Sequence, residues 1–445
     1  MQYSIIQKSQ LEGANRLDAE YFVTNQVFKE YYLGSEIVNF VQYGTSKDLN
    51  EEGRGYPTLR LNEFDSYFVK EPEKYCNRIN QQQFLDLELK KNDILVCRTN
   101  GNPKLVGKSA IVIQDRPYAF ASYLFRIRTN SEKINPSTLI AYLHSSFGRV
   151  EIEKNMMISN QTNFSPARFK LIRIPKFAKV FQDVIDGLIL SAYDLSNKSG
   201  FYYNQAENLL LGELELSDFD IPQDLSYIVN FSEVKNANRV DAEYFQPKYE
   251  QVLKVLKQKG VFNLGSQFEV IKSKTFDYKE DGEVGVIKTK QLGKQFINFE
   301  VESKTSKDVV VKENLPKIKN GDILFASMGV GSLGKTNMYY DFEIKSNEFT
   351  IDSTLRILRN KTDYLPEGLA VYLNSNIGQE LIYKYIVGSS GIISIYDTYL
   401  ESFPIPVLTK PTQQKIADLV KMSHEARKKS KQLLEEAKKK SRGND

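Results

Sequence analysis

The sequence predicts an α+β protein made by tandem duplication: two strand-rich α/β domains, each followed by a long helix, with the two helices packed together. Three observations predict it. The segment Ala14-Asn15-Arg16-Leu17-Asp18-Ala19-Glu20-Tyr21-Phe22 returns as Ala237-Asn238-Arg239-Val240-Asp241-Ala242-Glu243-Tyr244-Phe245, eight of nine residues alike about half a chain apart. Shared landmarks then follow in one order: Leu33-Gly34-Ser35 and Leu264-Gly265-Ser266, Asn92-Asp93-Ile94-Leu95 and Gly321-Asp322-Ile323-Leu324, Gly107-Lys108-Ser109 and Gly334-Lys335-Thr336. Each half closes on Ile-Pro (Ile174-Pro175, Ile405-Pro406) and runs on into a long stretch of helical periodicity. Self-similarity at a fixed offset is the mark of a repeated architecture. Between the landmarks the halves have diverged almost completely, as expected of one device that reads two different things.

Each half opens on an Arg-x-Asp-Ala-Glu-Tyr-Phe box and a short helix. In the second copy Pro247 suits a first helical turn, Tyr249, Val252, Leu253 and Leu256 share a face, and Gly260 can stop the helix. A strand-rich body follows. Ile94-Leu95-Val96-Cys97 and Ile323-Leu324-Phe325-Ala326 are short apolar runs after Asn-Asp and Gly-Asp turns, and Ser109 to Ile113, Phe125 to Arg128 and Leu355 to Leu358 read as further strands. A helix over 136–147 is answered by one over 367–377, and both carry Tyr-Leu with a Ser and a Gly at matching places.

Two long helices complete the halves. Ile416, Leu419, Ser423, Ala426, Ser430, Leu433 and Ala437 keep a 4–3 heptad spacing, and Phe181, Val184, Leu188, Ser191, Leu195, Tyr202 and Leu209 keep it less strictly, with Gly200 as an irregularity. Small side chains in such seams allow close approach but weaken an isolated coiled coil, so the two stretches are expected to pair within the chain. The boundaries are 1–178 for the first domain, 179–216 for its helix, 217–236 for a linker, 237–408 for the second domain and 409–445 for the C-terminal helix.

Composition bounds the chemistry. Of 445 residues 41% are hydrophobic, enough for two domains each burying a core, and no apolar run reaches membrane-spanning length. The amino terminus lacks the apolar core of a signal peptide. Cys76 and Cys97 are the only cysteines, which disfavours a disulfide framework or a zinc site and fits a reducing cytoplasm. A net charge of +4 allows local basic patches without demanding nucleic acid. His144 and His424 stand far apart and neither is repeated, so the sequence offers no persuasive nucleophile or metal site.

Gly329 to Thr336 fits the phosphate-loop pattern G-x-x-x-x-G-K-[ST]. A phosphate loop needs a helix next, and here Asn337-Met338-Tyr339-Tyr340-Asp341-Phe342 follows, aromatic and strand-like. The preferred reading is a glycine turn presenting Lys108 or Lys335 to a phosphodiester. An NTPase using this loop remains the rival reading, testable by ATP binding, and a protein scaffold that binds no DNA is a second.

The doubled boxes, the Gly-Asp-Ile-Leu strand, the Gly-Lys turn, the Ile-Pro close and the long helices resemble the specificity subunit of type I restriction–modification systems over nearly the whole chain. The resemblance implies two target-recognition domains joined by an antiparallel coiled coil, with pseudo-twofold symmetry. It also implies no catalysis by this chain. Its partners would be double-stranded DNA, two adenine-N6 methyltransferase subunits and restriction/translocase subunits, without a membrane. S-adenosylmethionine, ATP and Mg would belong to those partners, and no cofactor to this chain. A related system, with methyltransferase and nuclease fused in one partner, would look the same.

Base readout needs Arg, Lys, Asn, Gln or hydroxyl side chains on loops. In the first half the candidates are Thr45, Ser46, Lys47, Arg60, Asn62, Arg98, Asn100, Lys104, Lys108, Asn160, Gln161 and Asn163. In the second they are Lys272, Lys274, Lys288, Lys290, Ser327, Lys335, Ser389 and Ser390, with Lys288 in the same column as Arg60. Most contacts of such loops go to phosphate rather than base. The boxes Arg16, Asp18, Glu20 and Arg239, Asp241, Glu243 read as structural corners or partner-docking points in preference to catalytic carboxylates.

Overall fold

The computed structural model describes residues 28–46, 48–157, 162–217, 219, 226–344, 348–388, 391 and 393–442. The chain divides into two compact units, Met1–Ser196 with Lys429–Asp445, and Asn197–Lys428. The division falls inside both long helices, so the segments expected to stand apart as spacers are shared between the units.

In the first unit the apolar run Ile94–Cys97 is buried along its length and forms a central strand. It pairs antiparallel with Leu124–Thr129 on one side and Ser109–Ile111 on the other, and Val38–Tyr43 lies beyond Leu124–Thr129. In the second unit Phe268–Lys272, Leu355–Asn360, Ile323–Ala326 and Thr336–Met338 follow in the same spatial order. The turn before each central strand explains one landmark. Asn92 has φ 74 and Gly321 φ 84, a left-handed backbone that Asn and Gly tolerate best.

A second landmark, Tyr-Leu-x-Ser-x-x-Gly, has an equally local cause. Residues 136–147 were expected as one helix, but Pro136–His144 stops at Ser145 and a new helix, Ser146–Asn155, begins there. The Ser145 hydroxyl donates to the Tyr142 carbonyl (2.7 Å) and accepts from the Gly148 amide (3.0 Å), closing one helix and capping the next. A Cβ on Gly148 would sit 2.0 Å from the Tyr142 carbonyl oxygen. Ser375, Tyr372 and Gly378 repeat this between Pro366–Asn374 and Asn376–Lys384, at 2.7 and 3.2 Å. Both tyrosine hydroxyls donate to the closing strand, at Arg173 and Pro404.

The helix Pro247–Lys259 buries Tyr249, Val252, Leu253 and Leu256 and ends at Gly260, φ 92. A short helix not foreseen in the linker, Phe231–Ala237, precedes it.

The long helices run Lys179–Glu213 and Lys410–Lys440. In the first unit Ile185, Ile189 and Ala192 share a core with Leu434 and Ala437, and the Ser430 hydroxyl donates to the Ala192 carbonyl (2.6 Å). In the second, Tyr203, Ala206 and Leu210 share one with Ile416 and Val420, and the Ser423 hydroxyl donates to the Ser199 carbonyl (2.7 Å). Within each unit the segments are antiparallel. The register of the first helix differs from expectation by one residue. Gln182, Ile185, Ile189, Ala192, Ser199, Tyr203, Ala206 and Leu210 are buried, whereas Val184 is 46% exposed and Ser191 also faces out. Close approach sealed by hydroxyl-to-carbonyl bonds selects small residues, and the sequence pattern had rewarded large apolar ones. Gly200 causes no irregularity, because the helix passes through it unbroken.

Candidate nucleic-acid interface

The loops singled out in the first half converge on one backbone segment, Ala119 to Leu124. The Thr45 amide donates to the Phe120 carbonyl (2.8 Å), and the Ser122 amide to the Ser46 hydroxyl (2.9 Å). The Ala121 amide donates to Leu59, just before Arg60, and the Arg98 amide to Tyr123, both at 2.8 Å. The third loop joins through Phe164, whose amide donates to the Arg98 carbonyl (2.7 Å), and through the pairing of Thr99-Asn100 with Thr162-Asn163.

The second half builds the same junction from other residues. The Asp352 amide donates to Ile287 (3.1 Å), the Ser327 amide to Thr354 (3.0 Å), and the Ile395 amide to Ser327 (3.0 Å). Tyr56–Leu59 lies parallel to Ala119–Phe120 as Val284–Ile287 lies parallel to Glu348–Ile351. Arg60 and Lys288 do share a column. Each precedes a single 3-10 turn, and its amide donates to the side chain three residues on, Glu63 (2.6 Å) or Gln291 (3.2 Å).

Placement separates the candidates. The Arg60 guanidinium is bound by the buried Glu63 carboxylate (2.6 Å), which fits a fixed scaffold more than a free reader. Ser327 is 2% exposed and its hydroxyl donates to the Thr354 carbonyl (3.0 Å), so its side chain is withdrawn from any groove, contrary to expectation. Asn100 accepts from the Asn102 amide (2.8 Å) and orders its own loop. Asn62 and Lys104 are exposed, and Asn163 partly so. Lys272, Lys274 and Lys290 are exposed beside Asp397, Glu313 and Glu302, pairs weak enough at a surface to yield to a phosphate. Lys288 holds its Nζ 4.1 Å from the Tyr278 ring centroid. Lys47, Asn160, Gln161, Ser389, Ser390, Arg16, Asp18 and Glu20 lie outside the described residues.

Both glycine turns run directly into strands. Gly107 (φ 82) and Gly334 (φ 87) carry the chain past a lysine straight into Ser109–Ile111 and Thr336–Met338, both strands paired in the main sheets. No helix N-terminus follows the turn to cradle a phosphate. Lys108 and Lys335 are both partly buried. Burial pulls the Lys108 amine below the usual lysine range, with Asp65 and the Cys97 thiol opposing.

Of the two boxes, the second is described. Arg239 grips Asp241 with two hydrogen bonds (2.8 and 2.6 Å), donates to the Ile386 carbonyl (2.7 Å) and stacks 4.6 Å from the Tyr244 centroid. Glu243 is exposed. The clamp ties the box to the backbone at Ile386, and it borders a cleft of about 950 Å³ rimmed by Tyr249, Tyr383, Tyr396 and Tyr399. Among the described residues no helix is long and apolar enough to cross a membrane, and no cluster of three metal-ligating side chains occurs.

The two halves carry unlike sets of loop side chains on one repeated scaffold. Residues 253–438 match the family model of the type I restriction modification DNA specificity domain. That match covers most of the second half of the chain. No curated protein matches it. Among solved structures, it is similar to the type I restriction–modification S subunit from M. genitalium (12% identity, 94% of this chain and 97% of that one, TM-score 0.43). It is also similar to the HsdS subunit from Thermoanaerobacter tengcongensis (11% identity, 93% and 95%, TM-score 0.30).

Proposed function

We propose that this chain reads a bipartite, asymmetric DNA target, one half-site per unit, and recruits two adenine-N6 methyltransferase subunits that restriction/translocase subunits then join. The chain performs no chemistry itself; S-adenosylmethionine, ATP and Mg act on the partners. The reading rests on one observation above all. Three backbone bonds of the junction (Ala121 to Leu59, Arg98 to Tyr123 and Phe164 to Arg98) recur in the second half as Asp352 to Ile287, Ser327 to Thr354 and Ile395 to Ser327, while the side chains at matching places differ (Arg98 against Ser327, Tyr43 against Lys272).

Exchanging residues 36–178 for the matching region of a relative tests it. Mapped adenine methylation by the assembled complex should change in one half of the target only. A change in both halves at once would defeat the two-reader reading.

The glycine-turn lysine should act differently. Lys335→Ala is expected to weaken binding to every duplex alike and to lower the slope of log K against log salt by about one unit, the signature of one lost phosphate contact. Titrations at several salt concentrations on target and non-target duplexes decide this. An altered preference among sequences would move Lys335 to the base readers.

A further inference from the structure

Resting on that reading, we propose that Arg98, stacked on Tyr43, is the guanine-reading side chain of the first half-site, and that the second half has no arginine reader at the corresponding place. The strand registers fix the correspondence. Tyr43, Phe125 and Val96 lie in one row across the first sheet, and Lys272, Arg356 and Phe325 in the matching row of the second. One step beyond the central strand stand Arg98 and Ser327.

In the first half the Arg98 guanidinium carbon lies 5.0 Å from the centroid of the Tyr43 ring, which is 47% exposed. Among the described residues no carboxylate forms an ion pair with it, so its charge is not cancelled locally. Its Nε is buried without a hydrogen-bond partner. That blocks the side-on fork and leaves the two terminal Nη groups to donate. A guanidinium attracted to an aromatic face is held in place and loses less freedom on binding. Two parallel N–H groups presented end-on match O6 and N7 of guanine in the major groove. The site lies where the loops after Tyr43, at Arg98–Asn100 and at Thr162–Phe164 meet.

The second half has disarmed the same place. Ser327 is buried, and Lys272 stands where Tyr43 stands. The nearby arginine, Arg356, is 14% exposed and bound by Asp397 (Nε to Oδ1, 2.5 Å), with Lys272 4.0 Å from the same carboxylate. An arginine held this way is an internal strut.

The test maps methylated adenines genome-wide for the chain assembled with its methyltransferase partner, as wild type, Arg98→Lys, Arg98→Gln and Tyr43→Leu, with thermal melting to confirm folding. Arg98→Lys keeps the charge and removes the paired donors. Both Arg98 variants should turn one guanine of one half-site degenerate, with discrimination there falling about ten- to a hundredfold. The other half-site should stay as it was, and Tyr43→Leu should relax the same position more weakly. Uniform loss of methylation with an unchanged target would overturn the proposal in favour of a phosphate contact. Relaxation at a base other than guanine, or no change, would also overturn it. Failure of the wild-type complex to select any duplex sequence would instead overturn the proposed function.

Discussion

Asp93→Ala should cost the first unit about 3–5 kcal/mol, and Asp322→Ala in the second markedly less, although the two aspartates are counterparts in the duplication. Asp93 is 1% exposed and meets two arginines: Arg126, also 1% exposed, at 3.2 Å, and Arg128 at 2.6 Å. Arg126 further donates to the Asp86 and Glu88 carbonyls (2.8 and 2.7 Å), around the end of the helix Gln81–Leu87, where a cation is favoured. Burial works against the Arg126 charge, and Asp93 supports it. Removing the carboxylate leaves a desolvated cation without a counter-charge, the arrangement that makes breaking a buried pair so costly. Among the described residues Asp322 pairs with one arginine, Arg359, at 2.7 Å, and that side chain is 23% exposed, so water can take over after the change. Both aspartates also accept a backbone amide (from Lys90 and Lys319), a loss common to the two variants. A chain of two units need not unfold in one step, so each variant is scored on the transition of its own unit in denaturant. Equal losses would mean that the buried Arg126 is not what Asp93 compensates.

What could be read from the sequence was whatever duplication or periodicity made redundant. The buried face of Pro247–Lys259, the central strands and the glycine turns come out as expected, because each rests on a pattern of several residues. The Ser145 and Ser375 breaks were visible as landmarks but not as breaks, since one serine ending a helix and starting the next leaves no gap in apolar periodicity. The seam of the first long helix was misplaced by one residue for a related reason. Its contacts run through Ala192, Ser199 and Ala206, which a hydrophobicity pattern scores low. The candidate readers were harder still. A loop residue's role depends on what lies across the junction: Glu63 binds Arg60, Thr354 withdraws Ser327, and Tyr43 supports Arg98. None of these pairings is local in sequence except the first. Tyr43 itself was missed, although its place just before Gly44 at a strand end was the available signal.

His144 yields the second large expected effect, an acid lability of the first unit that one substitution removes. Its ring stacks 3.9 Å from Tyr67, and Nε2 lies 2.9 Å from the Ser109 carbonyl oxygen, the neutral ring donating there. Burial pulls its pKa down to about 4; the Ser109 bond and Glu435 oppose this, while Lys438 and Lys108 add to it. The unfolded chain takes up a proton near pH 6.5, about 2.5 units earlier than the folded one. The stabilising contribution is therefore complete above pH 6.5 and is lost as pH falls toward 4, by at most about 3 kcal/mol and less insofar as the partly exposed ring still meets water. The second half shows how to remove the proton without removing the bond. Asn374 stands at the corresponding position and donates through Nδ2 to the Thr336 carbonyl at 2.7 Å, Thr336 being the counterpart of Ser109. His144→Asn should then keep neutral-pH stability to within about 1 kcal/mol, the net worth of a retained hydrogen bond. Its first-unit transition should lose less stability than wild type between pH 6.5 and pH 4. An unchanged slope would assign the acid lability to another group. A large loss at neutral pH would show that the stack on Tyr67, which asparagine cannot supply, outweighs the bond that both residues make.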